Sequence, residues 1–463
     1  MRIPTENHSP SPWVVEAAGL EPISDLQRHG DARQLFWVWF AGNLSFAYLV
    51  IGAAVWSFGL SLWQSVLSIA VGTMAFGAIG YLGLPGRRTG LPTMAYFSRC
   101  FGSRGNRLMA LVSWINLLGW ETVVLIIAAY AVSTMFHRGF HTPMTAPWLC
   151  LSLALAALFE LSIAFFGHTL IEAVQQWVSY VFGLLTLVVL LAFVPHIAWH
   201  TLLMKPPGPW LSGVVPAITI VIAVSALSWV TTASDYTRYL PSSIPNVRLV
   251  RAAAWGAVIP TGTLMMAGVL FGNSAPSLAA AVNPIQLLLH WMPTWAAIPY
   301  LVVTSVGMIA GGIMCAYSSG LSLLAAGITI PRSRTIGVDA MVSIGASLYV
   351  LLMSQHFLSF FEAFLSLIAC LLAPWAAVAL VNVVGEQKNV PVQAMTAWAV
   401  GAAIALATTS TVIFTGPLAL GIFRTSSLGY VTGFAVTLVI YLWAGRKASK
   451  RCITAPPSIQ QSP

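Results

Sequence analysis

Apolar runs of about 20 residues alternate with short polar or Gly/Pro-rich punctuation along most of the chain, each long enough as a helix to cross roughly 30 Å of hydrocarbon. The punctuation places twelve spans near 36–60, 62–84, 108–136, 148–166, 174–195, 212–233, 250–272, 295–328, 338–353, 358–383, 392–415 and 426–444. Spans three and eight are longer than a crossing needs, which predicts tilt or an irregular interior. A membrane β-barrel would instead show short alternating segments.

Composition agrees with that pattern. The 463 residues are 58% hydrophobic and only 7% charged, with a mean hydropathy of +0.84. A soluble protein carries roughly a quarter charged residues, so this is an all-α membrane protein whose surroundings are a lipid bilayer. The net charge of +9 does not point to nucleic acid. Its charges lie between apolar runs, and no basic face with interleaved aromatics is available. The five cysteines have neither metal nor disulfide spacing and read as small apolar packers. Residues 1–35 hold five acids and three arginines without an apolar core, which reads as an uncleaved, mobile cytoplasmic tail. Residues 445–463 read as a second, disordered cytoplasmic tail.

Positive charge supplies the orientation. With the N-terminus inside, 18 Lys/Arg fall on inner segments and three (Arg138, Lys205, Arg424) on outer ones. Five of the inner arginines lie in LPGRRTGLPTMAYFSRCFGSRGNR (84–107). That loop and the one at 273–294 are of similar length, and a shift of five spans superimposes them. Because five is odd, the second copy is inverted. The pattern predicts a five-plus-five inverted repeat, 36–195 and 212–383, followed by two additional helices over 392–444.

In such repeats the first helix of each half is broken, and its unwound backbone forms the site. Span one carries FAGNLSFAYLVIG (40–52), and span six carries SALSWVTTASDYTRYLP (225–241). These small and hydroxyl residues either make a site or permit close packing with back-bonded hydroxyls. Span eight carries GMIAGGIMCAYSSG (307–320), which is either a packing seam or a source of exposed oxygens for a hard cation. Glu121, Glu160 and Glu362 are intramembrane acids, which mark function by default. Asp235 has Arg238 three residues on, the spacing of a helical ion pair that would serve as a gate or structural link. Trp120 and Trp229 are internal to their spans and can sandwich a flat ring, whereas Trp148, Trp199, Trp210, Trp291 and Trp295 form an outer belt. Six of nine histidines (137, 141, 196, 200, 290, 356) fall on the outer side. They read as interfacial, so no bound metal is expected.

FAGNLSFAYLVIGA, RTGLPTMAYFSRCFGSRGN, the GWE at 119–121, SWVTTASDYTRYLP and YSSGLSLLAAG together resemble the nucleobase–cation symporter family, in particular its bacterial cytosine–purine permease branch. The resemblance implies a five-plus-five fold like that of sodium-coupled leucine transporters, plus two helices. It also implies cation-coupled import of nucleobases by alternating access across the cell (cytoplasmic) membrane, with no enzymatic activity and no cofactor. By the same resemblance Trp120 and Trp229 stack on the substrate ring and Glu121 reads its edge, and Asn43 and Cys315 are further candidate substrate-binding residues. A cation would lie between Ala41–Leu44 of span one and Gly307, Ala310 and Gly311 of span eight. Span eight departs from the family, with Gly311, Gly312 and Cys315 where asparagines are frequent and no Ser/Thr pair at the sodium position. Both Na+ and H+ therefore remain open as the coupling ion. Allantoin, a thiamine-precursor pyrimidine or an amino acid are alternative substrates, and a membrane-embedded transferase is the alternative outside transport. The sequence leaves the oligomeric state open, with a monomer sufficient for the mechanism.

Overall fold

A computed structural model describes residues 12–281, 283–353, 357–385, 390–426 and 428–454. Within them, ten helices are long and apolar enough to cross a membrane, and a bent pair makes eleven. The helix Pro391–Ala407, at 17 residues, is shorter than these. The last helix, Leu428–Thr454, continues beyond residue 445, where the sequence suggested a disordered tail. His356 and Lys388, both counted above, lie outside the described residues.

Span one is two helices, Ala32–Gly42 and Phe46–Ser57, bent by 63°. Asn43 caps the first, and Ser45 caps the second by accepting from the Ala47 N–H at 3.3 Å. Span two runs over Leu62–Thr89. Span three follows after Gly90 within Thr93–Phe140, two helical stretches joined by a kink at Gly102, where the backbone leaves the helical region. The segment 85–107 is therefore mostly helical and not the loop the Gly/Pro content suggested. Its turns are confined to Gly90 (φ 72°) and Gly102 (φ 71°), left-handed positions that favour glycine.

Spans four and five are Ala146–Phe166 and His168–Phe193. Span six comprises Trp210–Val214, Val215–Val224 and Ala226–Trp229, and then passes into successive turns to residue 239. Span seven is Asn246–Ser274 and span eight is Thr294–Ala325, unbroken despite its glycines. Spans nine and ten are Arg332–Met353 and Phe357–Gly385. The most apolar stretch of span eight is 78% buried against 22% for span nine. Span eight is therefore an axis of the bundle, and span nine lies at the lipid boundary.

The described part of the N-terminal segment is not a free tail. The Glu16 N–H donates to Phe166 O (2.9 Å), its Oε2 accepts from the His168 N–H (2.8 Å), and its Oε1 pairs with Arg238 (2.7 Å). Burial pushes the Glu16 carboxyl up, but Arg332 and Arg238, with a hydrogen bond from Tyr239, outweigh it and hold it at about 2. Further along, His29 Nε2 lies 3.4 Å from Glu172 Oε2, and this contact raises the imidazole above 6.5 against the opposing effect of burial. A raised folded value means that this stabilisation is complete below pH 6.5 and is lost as pH rises through the folded value. Protection of residues 12–31 from added protease is expected to fall as pH rises above neutrality, and His29→Asn should flatten that dependence. Equal pH dependence in the variant would contradict the assignment.

Candidate functional site

The break in span one sits against the glycines of span eight. A Cβ at Gly307 would lie 2.2 Å from the Leu44 carbonyl oxygen, and one at Gly311 would lie 3.1 Å from that of Gly42. Here the glycines are a packing seam that lets two backbones approach. The sequence-derived cation residues are thus brought together, although the Ala310 carbonyl already accepts from Gln175 Nε2 at 2.7 Å. Ser45 Oγ donates to Met308 Sδ at 3.3 Å. Asn43 holds the break itself, donating to Trp39 O (2.8 Å) and accepting from the Tyr48 (2.9 Å) and Thr261 (3.5 Å) hydroxyls.

Span six breaks at Ser225, whose backbone leaves the helical region at φ −104°, ψ −101°. Its hydroxyl donates to Val221 O, and that of Ser228 donates to Ala223 O at 2.9 Å. Asn116 of span three donates to the Ser228 carbonyl (2.9 Å), and Ser113 donates to Thr231 Oγ1 (2.8 Å), so both pin the break to span three. Trp229 is buried and meets the Trp39 ring edge-on at 5.7 Å. Half-buried Trp120 meets Phe361 of span ten edge-on at 5.1 Å, and its indole N–H has no partner.

Glu121 is fully buried but belongs to a different set of neighbours from Trp120. Its electrostatic neighbours are Asp339 and Ser343 of span nine, Glu160 of span four and Cys315 of span eight. The structure thus joins Glu121 to Cys315 and assigns each tryptophan its own aromatic support. Glu362 instead lines a cavity with Ser366, Ile220 and Thr411.

Asp235 and Arg238 do not form the expected ion pair. Asp235 Oδ1 accepts from the N–H and hydroxyl of Thr93 (2.8 and 2.9 Å), and among the described residues Arg238 pairs with Glu16. The reason is local geometry. The segment after Trp229 is a succession of turns, so the three-residue spacing that stacks side chains on a helix does not apply. The same turns are clamped to the end of span two, where Thr237 donates to Gly83 O (2.6 Å) and Ser234 to Leu82 O (2.8 Å). Arg87 donates to Ser242 O (3.2 Å) and Asn246 Oδ1 (2.5 Å), joining the same region to the start of span seven.

Asp339, Glu16 and Glu172 were not among the sequence-derived candidates. Asp339 lay at the edge of an expected span beginning at 338, but the helix starts at Arg332 and carries it inside. The intramembrane-acid rule would have found it with the right boundary. Glu16 has no sequence signal, because its partners are far along the chain, whereas Glu172 pairs with distant His29 and also with His168 four residues before it, a helical spacing that could have found it.

Two helices broken at the centre of an all-helical bundle, one of them against an unbroken glycine-rich helix, define a membrane transporter. Solved structures share the fold. Mhp1, a nucleobase-cation-symport-1 family transporter in a closed conformation with bromovinylhydantoin bound, superimposes with a TM-score of 0.70 at 17% identity over 96% of this chain and 97% of its own. MhsT in complex with L-phenylalanine has a TM-score of 0.56 at 11% identity, over 90% of this chain and 99% of its own. The chain belongs to the family of permeases for cytosine/purines, uracil, thiamine and allantoin, which it matches over residues 22–433. It is a permease and not an enzyme. YxlA of Bacillus subtilis (strain 168), named as a purine-cytosine permease, is 27% identical over 92% of this chain and 95% of its own length. A purine-cytosine permease of Saccharomyces cerevisiae is 24% identical over 70% of this chain and 60% of its own length.

Proposed function

We propose that this permease imports a cytosine- or purine-type base together with a cation, by alternating access across the cell membrane with both termini cytoplasmic. The observation that carries the reading is the pair of indoles on spans three and six, each backed edge-on by another aromatic ring. Rings so supported present flat faces to a planar ligand, and stacking contributes on the order of 1 kcal/mol beyond burial. The partnerless Trp120 N–H and Asn116 Oδ1 offer a donor and an acceptor to the edge of such a base. An amino acid would instead call for helix N-termini facing its carboxylate. The names of the relatives support bases as the substrate class.

Breaks in spans one and six support the five-plus-five repeat over 36–195 and 212–383, with 392–444 appended. In that arrangement the second copy is inverted, and rocking of the two repeats exposes the site alternately to each side.

The test is uptake of labelled cytosine, adenine, guanine, uracil, hypoxanthine and allantoin in cells lacking their own permeases, with and without sodium and with an uncoupler. Saturable accumulation of a base is expected, and Trp120→Ala should weaken it, with a loss of at least about tenfold in apparent affinity for about 1.4 kcal/mol of lost stacking and contact. Glu121→Gln should alter selectivity among the bases. Accumulation of allantoin or of none of them would contradict the base reading.

A further inference from the structure

Three carboxyl groups from three spans lie inside the bundle, with Glu121 (three) within electrostatic reach of both Glu160 (four) and Asp339 (nine), and each is fully buried. The Glu160 carboxyl lies directly on Gly312 of span eight, where a Cβ would come within 2.3 Å of its Cδ. Trp114 Nε1 donates to Asp339 Oδ1 at 2.8 Å. Both oxygens of Glu160 are without a hydrogen-bond partner. Glu121 and Asp339 have the fully buried hydroxyls of Ser343 and Ser319, respectively, beside them. Cys315 is the remaining titratable neighbour, from span eight. Among the described residues no Lys, Arg or His lies within ion-pair distance of the three.

Three uncompensated negative charges do not persist in so apolar an interior, because desolvation and mutual repulsion both oppose ionisation. The cluster must therefore carry something positive. A hard metal cation needs several oxygens converging on one point, but one oxygen from each of these acids does not fall within 4.8 Å of the other two. A proton needs only one oxygen at a time and leaves a hydroxyl that can donate to a neighbour.

We propose that Glu121, Glu160 and Asp339 form the proton-binding site that couples transport to the proton gradient; this rests on the reading of the chain as a base importer. Protons enter the cluster from the outer side and leave it to the inner side. Glu121 is adjacent in sequence to Trp120, so its protonation state is felt at the base site. The span one–span eight junction, where the Ala310 carbonyl is occupied by Gln175, is then a structural seam.

The test uses the purified full-length protein in liposomes with labelled cytosine and labelled adenine. With the interior one pH unit more alkaline, wild-type protein is expected to accumulate base about tenfold for one proton per base. Base addition should acidify a dye trapped inside, and a sodium gradient should have no effect. In Glu160→Gln and in Asp339→Asn the gradient-driven accumulation should fall to a ratio of about one, with exchange of labelled for unlabelled base still measurable. Accumulation that follows sodium without internal acidification, or that persists in both variants, would overturn the proton site. Absence of exchange by wild-type protein would overturn the base reading instead. The site would still be decided by dicyclohexylcarbodiimide, which modifies protonated carboxyls in apolar surroundings. Modification of at least one of the three is expected at neutral pH, falling as pH rises, and no modification from mildly acidic to mildly alkaline pH would overturn the proposal.

Discussion

Arg238→Met is expected to release the N-terminal segment and to cost about 3–5 kcal/mol of stability, the usual consequence of removing one partner from a buried ion pair. The guanidinium is fully buried and donates to Gly19 O (2.7 Å), Glu16 Oε1 (2.7 Å) and the Tyr317 hydroxyl (3.0 Å). Methionine fills much of the same space but leaves the Glu16 carboxylate, 11% exposed, with Arg332 as its remaining cationic neighbour. Glu16→Gln added to Arg238→Met should therefore recover part of the loss. The depressed Glu16 value gives the wild-type contact a pH signature. Its stabilisation is present above the ordinary glutamate value near 4.5 and is lost as pH falls toward about 2. Thermal unfolding and hydrogen exchange of residues 12–31 are the readouts, and unchanged values in Arg238→Met would contradict the assignment. The network also joins the end of span six to spans eight and nine. The variant is expected to make Tyr317→Cys, placed in the same background, more reactive toward a soluble thiol reagent.

Gly268→Leu is expected to leave little folded protein. A Cβ at Gly268 would lie 1.9 Å from Leu49 O, and one at Gly52 would lie 1.9 Å from Met265 O. Span seven and the second half of span one therefore touch backbone to backbone through reciprocal glycines. Overpacking ordinarily costs about 1–3 kcal/mol and more where the neighbours cannot yield, and here the neighbours are main-chain atoms. On the same helix, Gly262 faces open space within 4 Å, so Gly262→Ala should be neutral and even Gly268→Ala measurably harmful. Yield and profile on size exclusion in detergent would decide it. Equal yields for Gly262→Ala and Gly268→Ala would contradict the close approach.

Ten of the expected spans, or eleven with the bent pair, and the breaks were legible because each leaves a local mark. Twenty apolar residues announce a crossing, and Gly42–Asn43–Ser45 or Ser225–Ser228 in an apolar run announce backbone that can leave the helix. Span eight was legible only as an ambiguity, since the same glycines serve a weak helix or a tight seam, and the answer lay in the carbonyls of Gly42 and Leu44 more than 260 positions away. The helix over 93–101 was hidden because glycines and prolines suggest loops, whereas here only Gly90 and Gly102 turn the chain. Docking of the N-terminal segment was illegible for the reason that hid Glu16. An acidic stretch without an apolar core looks solvated until its arginine partners are known. Asp339 was lost to a boundary error of one and a half turns.

Exchange of labelled base across liposomes containing only the purified protein, with no ion gradient imposed, tests the central claim most directly. The account predicts saturable exchange of cytosine or a purine, competed by unlabelled base and lost in Trp229→Ala while that variant remains folded. No exchange of any base by folded wild-type protein, or full exchange by Trp229→Ala, would contradict it.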